Sequence, residues 1–361
     1  MSGRAKIASV AALVLATASR AVAWEPPATL AETGLYADWE TRTIAADNLP
    51  FTPQYPLWSD GAVKKRWIHL PRGTYIDASD PNSWEFPFGT KVWKEFRIAG
   101  RRVETRYLER TEEGWQFAAY RWTEDEREAP VAPERGTKVD AEVAPGVRHA
   151  IPSRYDCRAC HDGRPVPVLG FSALQLSPDR DPNAPHAEKP GPDDVDLRVL
   201  AERGLLRGLP PALLKSPPRI AALTKTARAA LGYLYGNCAM CHNGRGTLTD
   251  LGFSLDYSAG QGRRDADAVA TAAGHASRFY VPGSPDEKSQ RVRKGDPDLS
   301  AIAVRMSSRR AAQQMPPLGT QVVDDEAVRL VRKWIAEDLG ARGESLAKNQ
   351  RRMMRRKEKG L

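Results

Sequence analysis

The chain of 361 residues is 41% hydrophobic and 27% charged, long enough for roughly two or three domains with real cores. Its formal net charge is +9, but residues 1–23 hold Arg4, Lys6 and Arg20 without an acid, and 341–361 hold eight Lys and Arg against Glu344 and Glu358. The body between them is formally neutral, which argues against a nucleic-acid-binding domain.

At the N-terminus, Arg4 and Lys6 lead into the largely apolar run Ile7 to Ala16, and Ala21-Val22-Ala23 places small residues where a signal peptidase reads. The pattern predicts a signal peptide over 1–23, cut before Trp24. The apolar run is too short to span a bilayer, so a soluble, periplasmic protein is expected. Over 24–150 the texture changes. Arg66-Trp67-Ile68-His69-Leu70, Gly73-Thr74-Tyr75-Ile76, the run 91–98, Val103-Glu104-Thr105-Arg106-Tyr107 and Trp115-Gln116-Phe117 are short, aromatic or β-branched, and partly alternating, which predicts strands. Ala99-Gly100 and Glu112-Glu113-Gly114 supply turns, so an antiparallel, sandwich-like β domain is expected. Eight of the nine tryptophans fall between Trp24 and Trp122, and core for a small sheet domain is preferred for them over an aromatic ligand platform.

Residues 151–219 open with Asp156-Cys157-Arg158-Ala159-Cys160-His161, expected at the start of a short helix. The stretch 177–195, rich in Pro, Asp and Gly, is predicted as a surface loop, 196–206 as a short helix and 210–218 as a proline-bearing linker. From Ile220 the period is helical: Leu223, Ala227, Ala230, Leu231 and Leu234 form one face running into Cys238-Ala239-Met240-Cys241-His242. Asp298 is expected to cap a helix over 299–309. Asp324 is expected to cap a last helix through Trp334 to Leu339, closed by Gly340.

All four cysteines fall in the two C-x-x-C pairs, and each pair is followed at once by one of only six histidines. Two thiols three apart on one helical turn can form thioethers with the two vinyl groups on one edge of a porphyrin, and the adjacent histidine then reaches the iron. The pattern predicts two covalently attached haem c groups, one on Cys157, Cys160 and His161, the other on Cys238, Cys241 and His242. A four-thiolate zinc site or a thioredoxin-like dithiol uses the same thiols without requiring the histidines.

With these residues in view, the segment from about 227 to 339 resembles a class I cytochrome c domain. Ala230 and Leu234 stand where that family places its helix-crossing pair, and Trp334 where its last helix carries an aromatic. The resemblance implies a methionine as second axial ligand in a loop before the last helix; Gln314-Met315-Pro316-Pro317-Leu318-Gly319 matches, which assigns Met315. A wider resemblance covers nearly all the chain beyond residue 23. Pro56-Leu57-Trp58-Ser59-Asp60-Gly61-Ala62, Phe86-Pro87-Phe88-Gly89-Thr90, Arg154-Tyr155-Asp156-Cys157, the run 170–176 and Asn237 to His242 are similar to a family of exported bacterial dihaem c-type cytochromes. Related cytochrome segments are joined to quinoprotein sugar dehydrogenases. The resemblance implies electron transfer outside the cytoplasmic membrane, with a dehydrogenase or terminal acceptor as redox partner. The expected fold class is thus α+β and multidomain: the β domain, the first attachment segment, and a mostly α cytochrome c region over 220–340. The basic tail, 341–361, has too few apolar residues to hold a helix on the body. It is expected to be a disordered end, or an arm that meets anionic lipid or an acidic partner.

No methionine lies between His161 and Cys238, which leaves the first haem's distal ligand open. His149, His186, His275 and Met306 are candidates, His149 being close in sequence; His69 falls in a predicted strand and Met240 inside its own motif. If both irons are six-coordinate, the chain is an electron carrier. An open position would make it a dihaem peroxidase-like or oxidase-like enzyme. A third reading makes the tryptophan-rich domain a ligand-binding module with the haems as its electron outlet.

Overall fold

Short strands β1 (Tyr36–Asp38), β2 (Thr43–Ile44) and β3 (Asn48–Pro50) lead into β4 (Val63–His69), β5 (Ile76–Asp77), β6 (Lys91–Ile98), β7 (Arg101–Thr111) and β8 (Gly114–Arg121), followed by a hairpin of β9 (Thr137–Ala144) and β10 (Val147–Ile151). The helices are α1 (Arg154–His161), α2 (Leu197–Glu202), α3 (Pro211–Lys215), α4 (Lys225–Cys238), α5 (Asp265–Ala272), α6 (Ala301–Met306) and α7 (Asp325–Lys333), with β11 (Leu206–Arg207) between α2 and α3. The class is α+β. This computed structural model describes residues 24–164, 166–260, 265–285, 287–340 and 345. The expected signal peptide and, Ser345 apart, the basic tail lie outside the described residues. Among the described residues, no helix is long and apolar enough to cross a membrane.

One antiparallel sheet, β3-β4-β6-β7-β8, organises the first half. Its longest hairpin turns at Ala99-Gly100, both with positive φ (48° and 84°), the two-residue turn whose twist suits antiparallel strands. Because side chains alternate across a sheet, adjacent cross-strand rows serve opposite faces. The row Trp67, Trp93, Tyr107, Ala118 is covered by Leu30, Leu35, Tyr36 and Trp122. The row Ile68, Val92, Leu108, Phe117 is covered instead by Phe171, Leu176, Leu197, Leu200 and Leu206. No second sheet of comparable size lies against it among the described residues; the other ladders are two-stranded. The cover that a sandwich would draw from a second sheet comes here from the loops and short helices after the first C-x-x-C-H. Trp67, Trp84, Trp93 and Trp122 are buried, so half of the tryptophan cluster is core.

The second half packs around α4. Thr224 caps it, its hydroxyl accepting from the Ala227 amide at 3.0 Å. Leu223 therefore precedes the helix and is exposed, which removes it from the expected face. Ala230 and Leu234 are buried against Val331, Trp334 and Ile335 of the last helical segment. Asp324 caps α7 through the Ala327 amide at 3.0 Å, and the chain continues beyond Lys333 through one wider turn, Trp334–Asp338. The helix expected over 299–309 is shorter, Ala301–Met306, since Asp296 rather than Asp298 accepts from the Leu299 amide.

Several contacts tie the halves together. Gly232 and Gly236 on α4 lie under Tyr55, where a Cβ at Gly232 would stand 1.9 Å from the ring. The stretch 177–195, expected as a surface loop, is partly buried because its polar groups meet partners. Asp181 accepts from the Tyr55 hydroxyl at 3.3 Å, Glu188 pairs with Arg66 at 2.5 Å, and His186 meets Asp324 at 2.9 Å.

Candidate functional site

The first motif is delivered by α1. Ser153 and Asp156 cap its start reciprocally: the Asp156 amide donates to the Ser153 hydroxyl at 3.0 Å and the Ser153 amide to the Asp156 carboxylate at 2.9 Å. One turn on, Cys157 and Cys160 follow, and His161 ends the helix with its ring 5.1 Å from that of Phe117 on β8. His161 Nδ1 donates to the Pro167 carbonyl at 2.5 Å, which fixes the ring and leaves Nε2 for the cavity. Burial, opposed by that bond, pushes the imidazole down to about 4, so it is neutral, the form that binds a metal.

The second motif straddles the end of α4. Asn237 holds it, accepting from the Trp58 amide at 2.7 Å and donating to the Pro56 carbonyl at 3.3 Å and the Tyr233 carbonyl at 3.0 Å. Cys238 closes the helix, and His242 lies beyond it, packed on Phe253 at 4.8 Å. Burial, with Arg305 and Arg291 nearby, pushes His242 down to about 4. Its Nδ1 is buried without a partner among the described residues. His242, Met306, Met315, Arg291 and Arg305 line one cavity. The Met315 backbone is tied to Arg305 of α6: the Met315 amide donates to the Arg305 carbonyl at 3.1 Å, and the guanidinium donates to the carbonyls of Gln313 at 3.0 Å and Gln314 at 3.3 Å. Asp60 clips the following residues, accepting from the Gln321 and Val322 amides at 2.9 Å each.

The two motifs touch. Asn243 Nδ2 donates to the Gly163 carbonyl at 3.0 Å, Cys241 Sγ lies 4.0 Å from the Ala159 carbonyl, and a Cβ on Gly163 would meet the Met240 carbonyl at 3.0 Å. A cavity between them is lined by Cys160, His161, Cys238, Cys241, His242 and Met315. All four thiols are unbridged. Burial raises all four, Cys160 to about 11 and Cys238 to about 12. Reactive redox dithiols need the opposite shift. Among the described residues no group of three or more His, Cys, Asp or Glu side chains is placed to hold a metal ion. The donor set, a neutral imidazole beside paired thiols in each motif, fits two covalently attached haems.

The candidates for the first distal position lie elsewhere. His149 on β10 is buried with Nε2 on Glu104 at 2.8 Å, His186 is held by Asp324 with its ring 4.7 Å from that of Trp58, and His275 is exposed. Met306 belongs to the second cavity and its core, and His69 is on β4. Sequence reasoning missed a row of cations. Arg66, Lys94 and Arg106 stand in direct register on β4, β6 and β7, on the sheet face that carries His161. Burial, aggravated by Arg66, Lys64 and Arg106, pushes the Lys94 ammonium well below its usual range. The signal was period-two alternation in three strands, but only their pairing shows that the three charges meet.

Comparison with protein-family models, with curated proteins and with solved structures finds no match to this chain.

Proposed function

We propose that the chain is an exported, periplasmic dihaem c-type cytochrome that relays electrons between a donor such as a dehydrogenase and a downstream acceptor. The observation that carries this reading is the contact between the two C-x-x-C-H segments, which share a cavity although about eighty residues separate them. Haem bound at such a site supplies one-electron oxidation and reduction at iron. Cys157 and Cys160, and Cys238 and Cys241, are the thioether positions; His161 and His242 present neutral imidazole nitrogens. Met315, which lines the same cavity as His242, would supply a soft sulfur to a haem held there, which would favour ferrous iron and raise the potential. Arg305, bound to the backbone of residues 313–315 at three carbonyl and amide positions, holds the loop that carries Met315. The region over 220–340 is then the cytochrome c part of the chain, and the sheet walls the first site.

The test is turnover. A carrier takes electrons from a one-electron donor protein and passes them on, with both haems cycling and no peroxide or oxygen consumed. Peroxide-dependent oxidation well above that of free haem would replace the carrier by the enzyme.

A further inference from the structure

The cavity between the sheet and His161, lined by Arg66, Lys94 and Arg106, poses a question that sheet stability does not answer. Like charges directly opposite on neighbouring strands destabilise a sheet, yet Arg66, Lys94 and Arg106 form such a row. The outer two are neutralised: Arg66 by Glu188 at 2.5 Å and Arg106 by Glu104 at 2.7 Å. Lys94, in the middle, makes no hydrogen bond or ion pair with the described residues, and its ammonium lies 5.0 Å from the centre of the Phe96 ring. A lysine left this way, partly buried between two guanidinium groups, is costly, and a leucine or methionine would suit the sheet better.

His161 lines two cavities, one shared with Met315 and the second motif and one against the sheet, and Lys94 lines the latter. The other side chains there are poor donors to a metal. Arg66 and Arg106 have no lone pair to give. The Tyr55 hydroxyl is spent on Asp181 at 3.3 Å, and the Gln175 amide is bonded at both ends to the Tyr55 backbone, at 2.9 and 3.0 Å. Among the described residues lining it, none is a methionine or cysteine, and the one histidine is His161. Resting on the two-haem reading, we propose that Lys94 is the distal axial ligand of the haem attached at Cys157 and Cys160, opposite His161. On ligation the ammonium gives one proton to solvent and its nitrogen lone pair forms the bond to iron; no electron is transferred. Ligation removes the uncompensated charge and explains why a lysine occupies the middle of the row. Two nitrogen ligands at the first site and nitrogen plus thioether at the second set the first haem at the lower potential, so electrons would run from the first motif to the second.

The test uses the full two-haem protein. Lys94→Arg keeps the charge but cannot ligate, and Lys94→Ala opens a space for an added amine. In both, one ferric haem should change from low to high spin while the other keeps its spectrum, and methylamine should restore the low-spin signal in Lys94→Ala. Should neither variant accumulate, the near-infrared charge-transfer bands of the unaltered ferric protein decide: one nitrogen–nitrogen and one nitrogen–thioether haem is the expected pair, and any other pair overturns the assignment. Two bound haems whose spin states ignore both substitutions also overturn it and leave the two-haem reading standing. Absence of covalent haem at Cys157 and Cys160 removes that reading, and the inference with it.

Discussion

Asn243, one residue past the second motif's histidine, donates from Nδ2 to the carbonyl of Gly163, two residues past the first motif's histidine, at 3.0 Å. The same amide reaches the carbonyls of Ala239 at 2.9 Å and Met240 at 3.2 Å, so one side chain closes its own turn and fastens it to the other motif. Asn243→Ala leaves these buried carbonyls without the donor and should destabilise the protein by about 1–3 kcal/mol in denaturant unfolding. Haem content should not change, and redox titration should show weaker interaction between the two haems. Unaltered stability and coupling would mean that the motifs are held together by something else.

Gly232 is required by contact rather than by its backbone angles. Alanine there gains about 1 kcal/mol of helix propensity, but its Cβ would overlap the Tyr55 ring, which is 2% exposed and has nowhere to retreat. Gly232→Ala should therefore lose about 1–3 kcal/mol net through overpacking. Combining it with Tyr55→Ala should cost less than the sum of the two single changes. A Gly232→Ala protein more stable than the parent contradicts the docking of this loop on α4.

At the methionine loop, Met315→Ala should lower the potential of one haem and abolish its thioether-to-iron charge-transfer band, with the other haem unchanged. Asp60→Ala, which frees the amides of Gln321 and Val322, should leave both haems attached but make that band incomplete. If the band survives in Met315→Ala and vanishes in Met306→Ala, the ligand is Met306, the other methionine of that cavity.

Glu104 is fully buried, and burial alone would raise its carboxyl; Arg106 and His149 overcome that and hold it at about 2 against an ordinary 4.5. A folded-state value below the unfolded one contributes stability that is complete above about pH 4.5 and is lost as the pH falls towards 2. Glu104→Gln leaves Arg106 buried without its anion and should cost about 3–5 kcal/mol at neutral pH. The gap between parent and variant in urea unfolding should narrow as the pH drops below 4.5. A constant gap down to the lowest accessible pH would show that the carboxylate's charge is not what matters there.

Local structure was legible in the sequence and long-range pairing was not. Each C-x-x-C-H, the strand Lys91–Ile98, the turn at Ala99-Gly100 and the cap at Asp324 are each specified within a few residues, so composition and spacing sufficed for them. The union of Gly163 with Asn243, the Tyr55 ring on Gly232 and the cation row depend on which distant segments meet. The stretch 177–195 misled because its Pro, Asp and Gly content reads as solvated, while Asp181, His186 and Glu188 find buried partners in other elements. Leu223 fitted the helical period, but Thr224 fixes the helix start one residue later.

The central claim is two covalent haems, one on each motif. The most direct measurement is the mass of the intact, denatured protein made in a host with cytochrome c maturation. The parent should carry two haems per chain, and replacing either Cys157 with Cys160 or Cys238 with Cys241 should remove one of them. An unmodified polypeptide mass, stoichiometric zinc, or loss of both haems from either paired substitution would contradict it.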